Sequence, residues 1–159
     1  MRLAPSAFGF RYTVGMSDRD AGVPALTGVV ETGLIVADVE RAAAFYARVF
    51  GLRLMFRDFR MAALDVAPGQ ALLVFLAGSS ANGSDVPGGH VPGFDAAGRS
   101  HFAFSIPADS LDAWRARLTA EGVAIESEVR WPRGAVSIYF RDPDGNLGEL
   151  VTPGLWPNY

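Results

Sequence analysis

The sequence predicts an α+β fold built from two modules, each running strand–helix–strand–strand–strand. Three observations predict it. The order of elements repeats along the chain. The first strands of the two runs begin near Glu31 and His101, 70 positions apart. A stretch rich in Gly, Pro and Ser separates the runs. The expected boundaries are a flexible N-terminal extension at 1–27, a single domain at 28–153 and a tail at 154–159. Within the domain, module one spans 28–77, a loop 78–99 and module two 100–153.

The extension mixes Gly, Pro, Ser and charge, and it lacks the basic start and apolar core of a signal peptide. Met16 opens an alternative start within it, and nothing functional is expected before residue 28. Module one begins with an apolar strand, TGVVETGLIVA, that runs to Asp38. Asp38 suits a helix N-cap, and Val39, Ala42, Phe45, Tyr46 and Val49 recur at helical spacing over 39–50. Gly51 closes that helix. Strands follow at 52–58, 61–66 and 70–76. The run AGSSANGSDVPGGHVPGFDAAGR is too rich in Gly, Pro and Ser to form an element, and it reads as a linker or an active-site lid.

Module two opens with the strand SHFAFSI. Asp109 or Ser110 caps a helix carrying Leu111, Trp114 and Leu118 on one side, and Gly122 ends it. Strands are expected at about 123–131, 134–141 and 147–152. The last two are joined by a tight turn, Asp142-Pro143-Asp144-Gly145-Asn146. Its Pro fixes φ at the start, and its Gly accepts a left-handed backbone near the end.

Composition narrows the function. At 159 residues with half of them hydrophobic, the chain can bury a real core. A net charge of −3 without a Lys/Arg cluster argues against nucleic acid. No apolar run approaches the roughly 20 residues that span a membrane. Cysteine is absent, which removes disulfides, thiolate metal sites and a cysteine nucleophile together. A cytoplasmic location is expected.

Strand alternation sorts the polar residues. Phe102, Phe104 and Ile106 form an apolar set that should face a helix, leaving His101, Ala103 and Ser105 on the other face. Glu31 takes the corresponding place in module one. On the last strands Ser137, Tyr139 and Arg141 share a face, and Leu147, Glu149 and Val151 put a carboxylate among apolar neighbours. A cation explains such a carboxylate most simply. Glu31, His101 and Glu149 therefore form a candidate three-ligand divalent metal site with open positions. The plainer alternative is a sheet face that meets water, where Glu and His are ordinary.

The runs ETGLIVADVERAAAFYARVFGL, GRSHFAFSI and YFRDPDGNLGEL resemble the vicinal oxygen chelate superfamily. It includes glyoxalase I, extradiol dioxygenases, methylmalonyl-CoA epimerase and fosfomycin- and bleomycin-resistance proteins. The resemblance covers roughly residues 28–153. It implies paired βαβββ modules in a concave mixed sheet around a metal, bordered or completed by a homodimer. His101 falls on the second-module ligand and Glu149 on the terminal carboxylate ligand. Glu31 stands where most metal-dependent relatives have His, sometimes Gln. The place of glyoxalase I's additional glutamate holds Leu73 or Val74. One imidazole and two carboxylates shift the expected ion toward Mn, Mg or Fe(II), with Zn and Ni in range.

Tyr139, ten residues before Glu149, matches the pocket tyrosine of extradiol dioxygenases, where it would donate a proton or hydrogen bond to substrate. A strand tyrosine chosen for β propensity is the alternative. Arg141, rather than Arg57, Arg60 or Arg133, is the choice for binding a substrate carboxylate. Trp131 would wall a pocket, as would Trp156, and His90 would act from the lid unless it is simply solvated. The expected function is that of a metal-dependent lyase, isomerase or dioxygenase acting on a small oxygenated molecule, with Tyr139 and Glu149 as catalytic groups. A metal-free binding protein, like the drug-sequestering relatives, is the alternative.

Overall fold

The computed structural model describes residue 24 and residues 26–159. The expected extension thus lies outside the described residues at 1–23 and 25, Met16 included. Module one contains β1 (Glu31–Val36), α1 (Val39–Phe50), β2 (Arg53–Arg57), β3 (Met61–Ala67) and β4 (Gln70–Leu76). Module two contains β7 (His101–Ser105), α2 (Leu111–Ala120), β8 (Ile125–Arg130), β9 (Val136–Arg141) and β10 (Leu147–Val151). Each module forms its own four-stranded mixed sheet, ordered β1-β4-β3-β2 and β7-β10-β9-β8. The two sheets share one plan. In each, the first strand runs parallel to the last and the others pair antiparallel. Among the described residues no helix is long and apolar enough to cross a membrane.

Two expectations need correction. The Gly/Pro/Ser-rich stretch is not devoid of elements, because β5 (Ser84–Val86) and β6 (Gly89–Val91) form a hairpin within it. Only Pro87 and Gly88 separate the strands, and Gly89 takes a φ of +146° that suits glycine. A Cβ on Gly93 would lie 2.1 Å from the Ala81 carbonyl oxygen, so the glycines here permit close backbone approach. The start of the second helix differs too. Residues Ala108–Ser110 form a 3₁₀ turn, and Ser110 makes no side-chain cap hydrogen bond. Its hydroxyl donates instead to the Pro107 carbonyl at 2.7 Å.

Helix α1 forms as its sequence dictates. The Asp38 carboxylate accepts from the Arg41 N–H at 2.9 Å, and Gly51 ends the helix at φ +70°. Its apolar face buries Val39, Ala42, Ala43, Phe45, Tyr46 and Val49. That face joins the two modules. Tyr46 and Phe50 pack edge-on or tilted against Phe102, Phe104 and Phe140 of the second sheet, so one continuous core spans both modules. The turn at 142–146 docks on the same helix. The Tyr46 hydroxyl donates to Asp142 at 2.8 Å, the Ala37 N–H donates to Asp144 at 2.8 Å, and Arg41 pairs with Asp144 at 2.9 Å.

Packing beneath the last strand is tight. Gly148 pairs with Phe140, and a Cβ there would sit 2.2 Å from the Phe140 ring. Phe140 is fully buried against Phe50 and Phe102, so the ring has nowhere to retreat. Gly148→Ala should lower stability by about 1–3 kcal/mol through overpacking. Urea unfolding reads this directly, and an unchanged midpoint would refute the steric account.

Candidate functional site

Register brings three of the expected residues together. Glu149 on β10 is flanked by Ala103 on β7 and Tyr139 on β9, and His101 pairs with Leu147 one step along the same face. Alternation alone puts these side chains on the face away from the helices. The opposite set, Phe102, Ile138, Phe140 and Leu150, is buried in the core. Glu149 nonetheless has only 3% of its surface exposed. A buried carboxylate needs partners, because its desolvation is costly.

Its partners define the site. His101 Nδ1 lies 3.0 Å from the Leu147 carbonyl oxygen, which can only accept, so Nδ1 carries the proton in that contact. His101 Nε2 then points at Glu149 Oε2 from 3.3 Å. A bare imidazole lone pair facing a carboxylate oxygen is repulsive. The two atoms together form a donor pair that a shared cation can bridge. Fixing a ligating histidine through its other nitrogen is a usual device of metal centres, so this donor pair fits two positions of a divalent ion.

Tyr139 stands beside the pair, its ring centroid 6.3 Å from that of His101. Burial, and then the neighbouring Glu149 carboxylate, push its phenol above the ordinary tyrosine range; hydrogen bonding to Glu149 adds to this and hydrogen bonding to Ser137 opposes it. Tyr139 is therefore a neutral O–H donor at physiological pH. His101, Tyr139 and Arg141 line an open groove of about 620 Å³, together with Glu126, Ser127, Val129 and Leu147. Arg141 is already engaged there. It donates to Glu126 from Nε at 2.6 Å and from Nη2 at 3.3 Å, and to the Gly145 carbonyl at 3.1 Å. A substrate carboxylate would have to displace Glu126.

The other expected residues lie elsewhere. Glu31 is exposed on the first sheet, and among the described residues no group of three or more His, Asp or Glu is placed to hold a metal. It borders a cavity of about 280 Å³ that β5 and β6 roof over, walled by Leu73, Phe75, Val86, Val91 and Phe94. His90 sits on that hairpin, with Nδ1 2.8 Å from Asp85, and does not line the cavity or the His101 groove. Trp131 is half-buried on Ala135, Val151 and Leu155, with its indole N–H turned toward β9.

The shared plan of the sheets also settles which residue matches Glu149. Glu149 pairs with Ala103, and the same offset in module one pairs Leu73 with Gly33, so Leu73 rather than Val74 is its counterpart. Ala63 faces Leu73 as Tyr139 faces Glu149. The titratable cluster thus belongs to module two.

One neighbour was not singled out from sequence. The Ser137 hydroxyl donates to Glu149 Oε1 and is itself fully buried. Its position two residues before Tyr139, on the same strand face, is the signal that could have found it.

Comparison with known proteins adds the following. Residues 28–150 match the family model of the Glyoxalase/Bleomycin resistance protein/Dioxygenase superfamily. Metallothiol transferase FosB of Lysinibacillus sphaericus is 32% identical over 121 residues, covering 76% of this chain and 78% of that protein. A crystal structure of lactoylglutathione lyase from Agrobacterium tumefaciens superposes with a TM-score of 0.76 at 32% identity, covering 84% of this chain and 99% of that one. The fosfomycin resistance protein FosX from Listeria monocytogenes shares the fold at 22% identity, with a TM-score of 0.59 and coverage of 82% and 97%.

Proposed function

The chain belongs to the Glyoxalase/Bleomycin resistance protein/Dioxygenase superfamily, and from that premise we propose that it is a metal-dependent enzyme acting on a small oxygenated organic molecule. The observation that carries this reading is the His101–Glu149 pair, 3.3 Å apart with the imidazole fixed through its other nitrogen. The two relatives at 32% identity named above, a metallothiol transferase and a lyase, support the enzyme class.

In this reading His101 Nε2 and Glu149 Oε2 hold one divalent ion, with Mn, Fe, Mg, Zn and Ni all within the range of such donors. The ion supplies Lewis-acid stabilisation of negative charge developing on a substrate oxygen. Tyr139 donates its phenolic proton or hydrogen bond toward substrate in the groove, where its raised pKa keeps it protonated. Val129 and Leu147 form apolar parts of the groove wall. Arg141 sets its charge, offering its guanidinium to a substrate carboxylate in exchange for Glu126. A lyase, isomerase or dioxygenase reaction is consistent with these parts, in a cytoplasmic setting.

Glu31 supplies the third ligand from a second copy of the chain in this reading. What supports that is its exposure and the lack of a third ligand beside His101 and Glu149 among the described residues. A homodimer would bring Glu31 of one copy to the His101–Glu149 pair of the other.

The test begins with protein purified without chelators, which should carry close to one divalent ion per chain. Adding Mn, Fe(II), Zn or Ni to chelator-treated protein should raise its melting temperature, because a ligand of the native state stabilises it. Co-expressed Glu31→Ala and His101→Ala chains should then recover one intact site per mixed dimer, although each variant alone binds weakly. Metal-free protein whose melting temperature ignores all of these ions would overturn the reading. It would favour a metal-free small-molecule binder, which the apolar cavity beneath the hairpin supports.

A further inference from the structure

Glu149 is held from both sides, and the two sides differ. Oε2 faces His101 Nε2, while Oε1 accepts from the Ser137 hydroxyl. The hydroxyl is the donor in that second bond. Trp131 Nε1, which can only donate, lies 2.8 Å from Ser137 Oγ. With one lone pair taken by the indole, the hydroxyl gives its single proton to Glu149, and the Tyr139 phenol lies beside both groups within hydrogen-bonding reach. Ser137 has no exposed surface and Glu149 only 3%, so water does not compete for either bond. The indole is anchored in turn, since Trp131 packs on Ala135, Val151 and Leu155.

We propose that Trp131 and Ser137 are positioning residues, a two-step hydrogen-bond relay that fixes the Glu149 carboxylate so that Oε2 alone is offered to a divalent cation beside His101. The proposal rests on the metal-dependent reading of that pair. An unrestrained carboxylate would be free to rotate, to chelate through both oxygens or to turn from the imidazole. Occupying Oε1 removes those options and leaves coordination positions for substrate oxygens. Trp131 has no contact with the cation in this scheme and acts only through Ser137. That dependence separates a relay from two unrelated packing contributions.

The experiment measures Mn²⁺ and Zn²⁺ affinity by calorimetric titration of the chelator-treated full chain. The proteins compared are wild type, Ser137→Ala, Trp131→Phe and the double variant. Each single change should weaken binding by about 10- to 100-fold, the range for loss of a group that orients a ligand. Trp131→Phe keeps an aromatic ring at a half-buried site, so it tests the lost N–H even where Ser137→Ala perturbs the buried strand. The double variant should bind no more weakly than Ser137→Ala, because the indole has nothing left to orient. Unchanged affinity in both single variants would overturn the relay while leaving the metal site standing. Fully additive losses would also overturn it, by showing that Trp131 acts independently. A wild type that binds neither ion would remove the functional reading and the relay together.

Discussion

Glu149→Gln should weaken divalent-metal binding by at least ~100-fold while leaving the metal-free fold intact. Losing a group that merely orients a ligand already costs about 10- to 100-fold, and this change removes the ligand's charge. Glutamine keeps the volume and retains an oxygen that can accept from Ser137, so the packing around β10 should survive. The buried carboxylate carries a desolvation cost that only its hydrogen bonds and a shared cation offset. The metal-free variant is therefore expected to melt close to the metal-free wild type. Calorimetric titration with Mn²⁺ or Zn²⁺, beside melting curves in chelator, separates the two effects. Equal affinity in variant and wild type would remove Glu149 from the ligand set.

Asp142→Ala should lower stability by roughly 3–5 kcal/mol, the scale for breaking a buried, charged hydrogen-bond network. The Asp142 carboxylate has 5% exposure and accepts four bonds: from the Tyr46 hydroxyl, the Asn146 side chain, and the backbone N–H groups of Asp144 and Asn146. Alanine would leave all four donors without that acceptor. A loss of this size is a large share of the 5–15 kcal/mol that typically holds a domain together. Tyr46→Phe, which removes one of the four bonds, should cost only about 1 kcal/mol. Urea unfolding of both variants in chelator measures the difference. Similar midpoints for the two would show that the docking bond to α1, rather than the three bonds within the turn, sets the stability.

Much of the architecture was legible because it is written in local pattern. Period-two alternation put His101, Tyr139 and Glu149 on one face before any strand pairing was known. Helical spacing with Asp38 and Gly51 fixed α1 to the residue. The β5–β6 hairpin was hidden because composition masked it. Its strands are three residues each and mostly exposed, and they leave no hydrophobic period to read. At the start of α2 Ser110 holds the N-cap position, but its hydroxyl turns back to Pro107, since Asp and Ser suit a 3₁₀ turn as well as a cap.

Distance along the chain marks the boundary between what was readable and what was not. By itself the sequence determined the two-module plan, the identity of the core faces and the strand face on which each of His101, Tyr139 and Glu149 stands. Each follows from neighbours within a few residues. The tertiary structure alone decided three further matters. Glu31 stands on a separate sheet from His101 and Glu149. The turn at 142–146 serves to dock on a helix 96 residues away. Trp131 reaches Glu149 through Ser137. All three depend on how separate strands and helices meet, and a one-dimensional period carries no record of which elements come into contact.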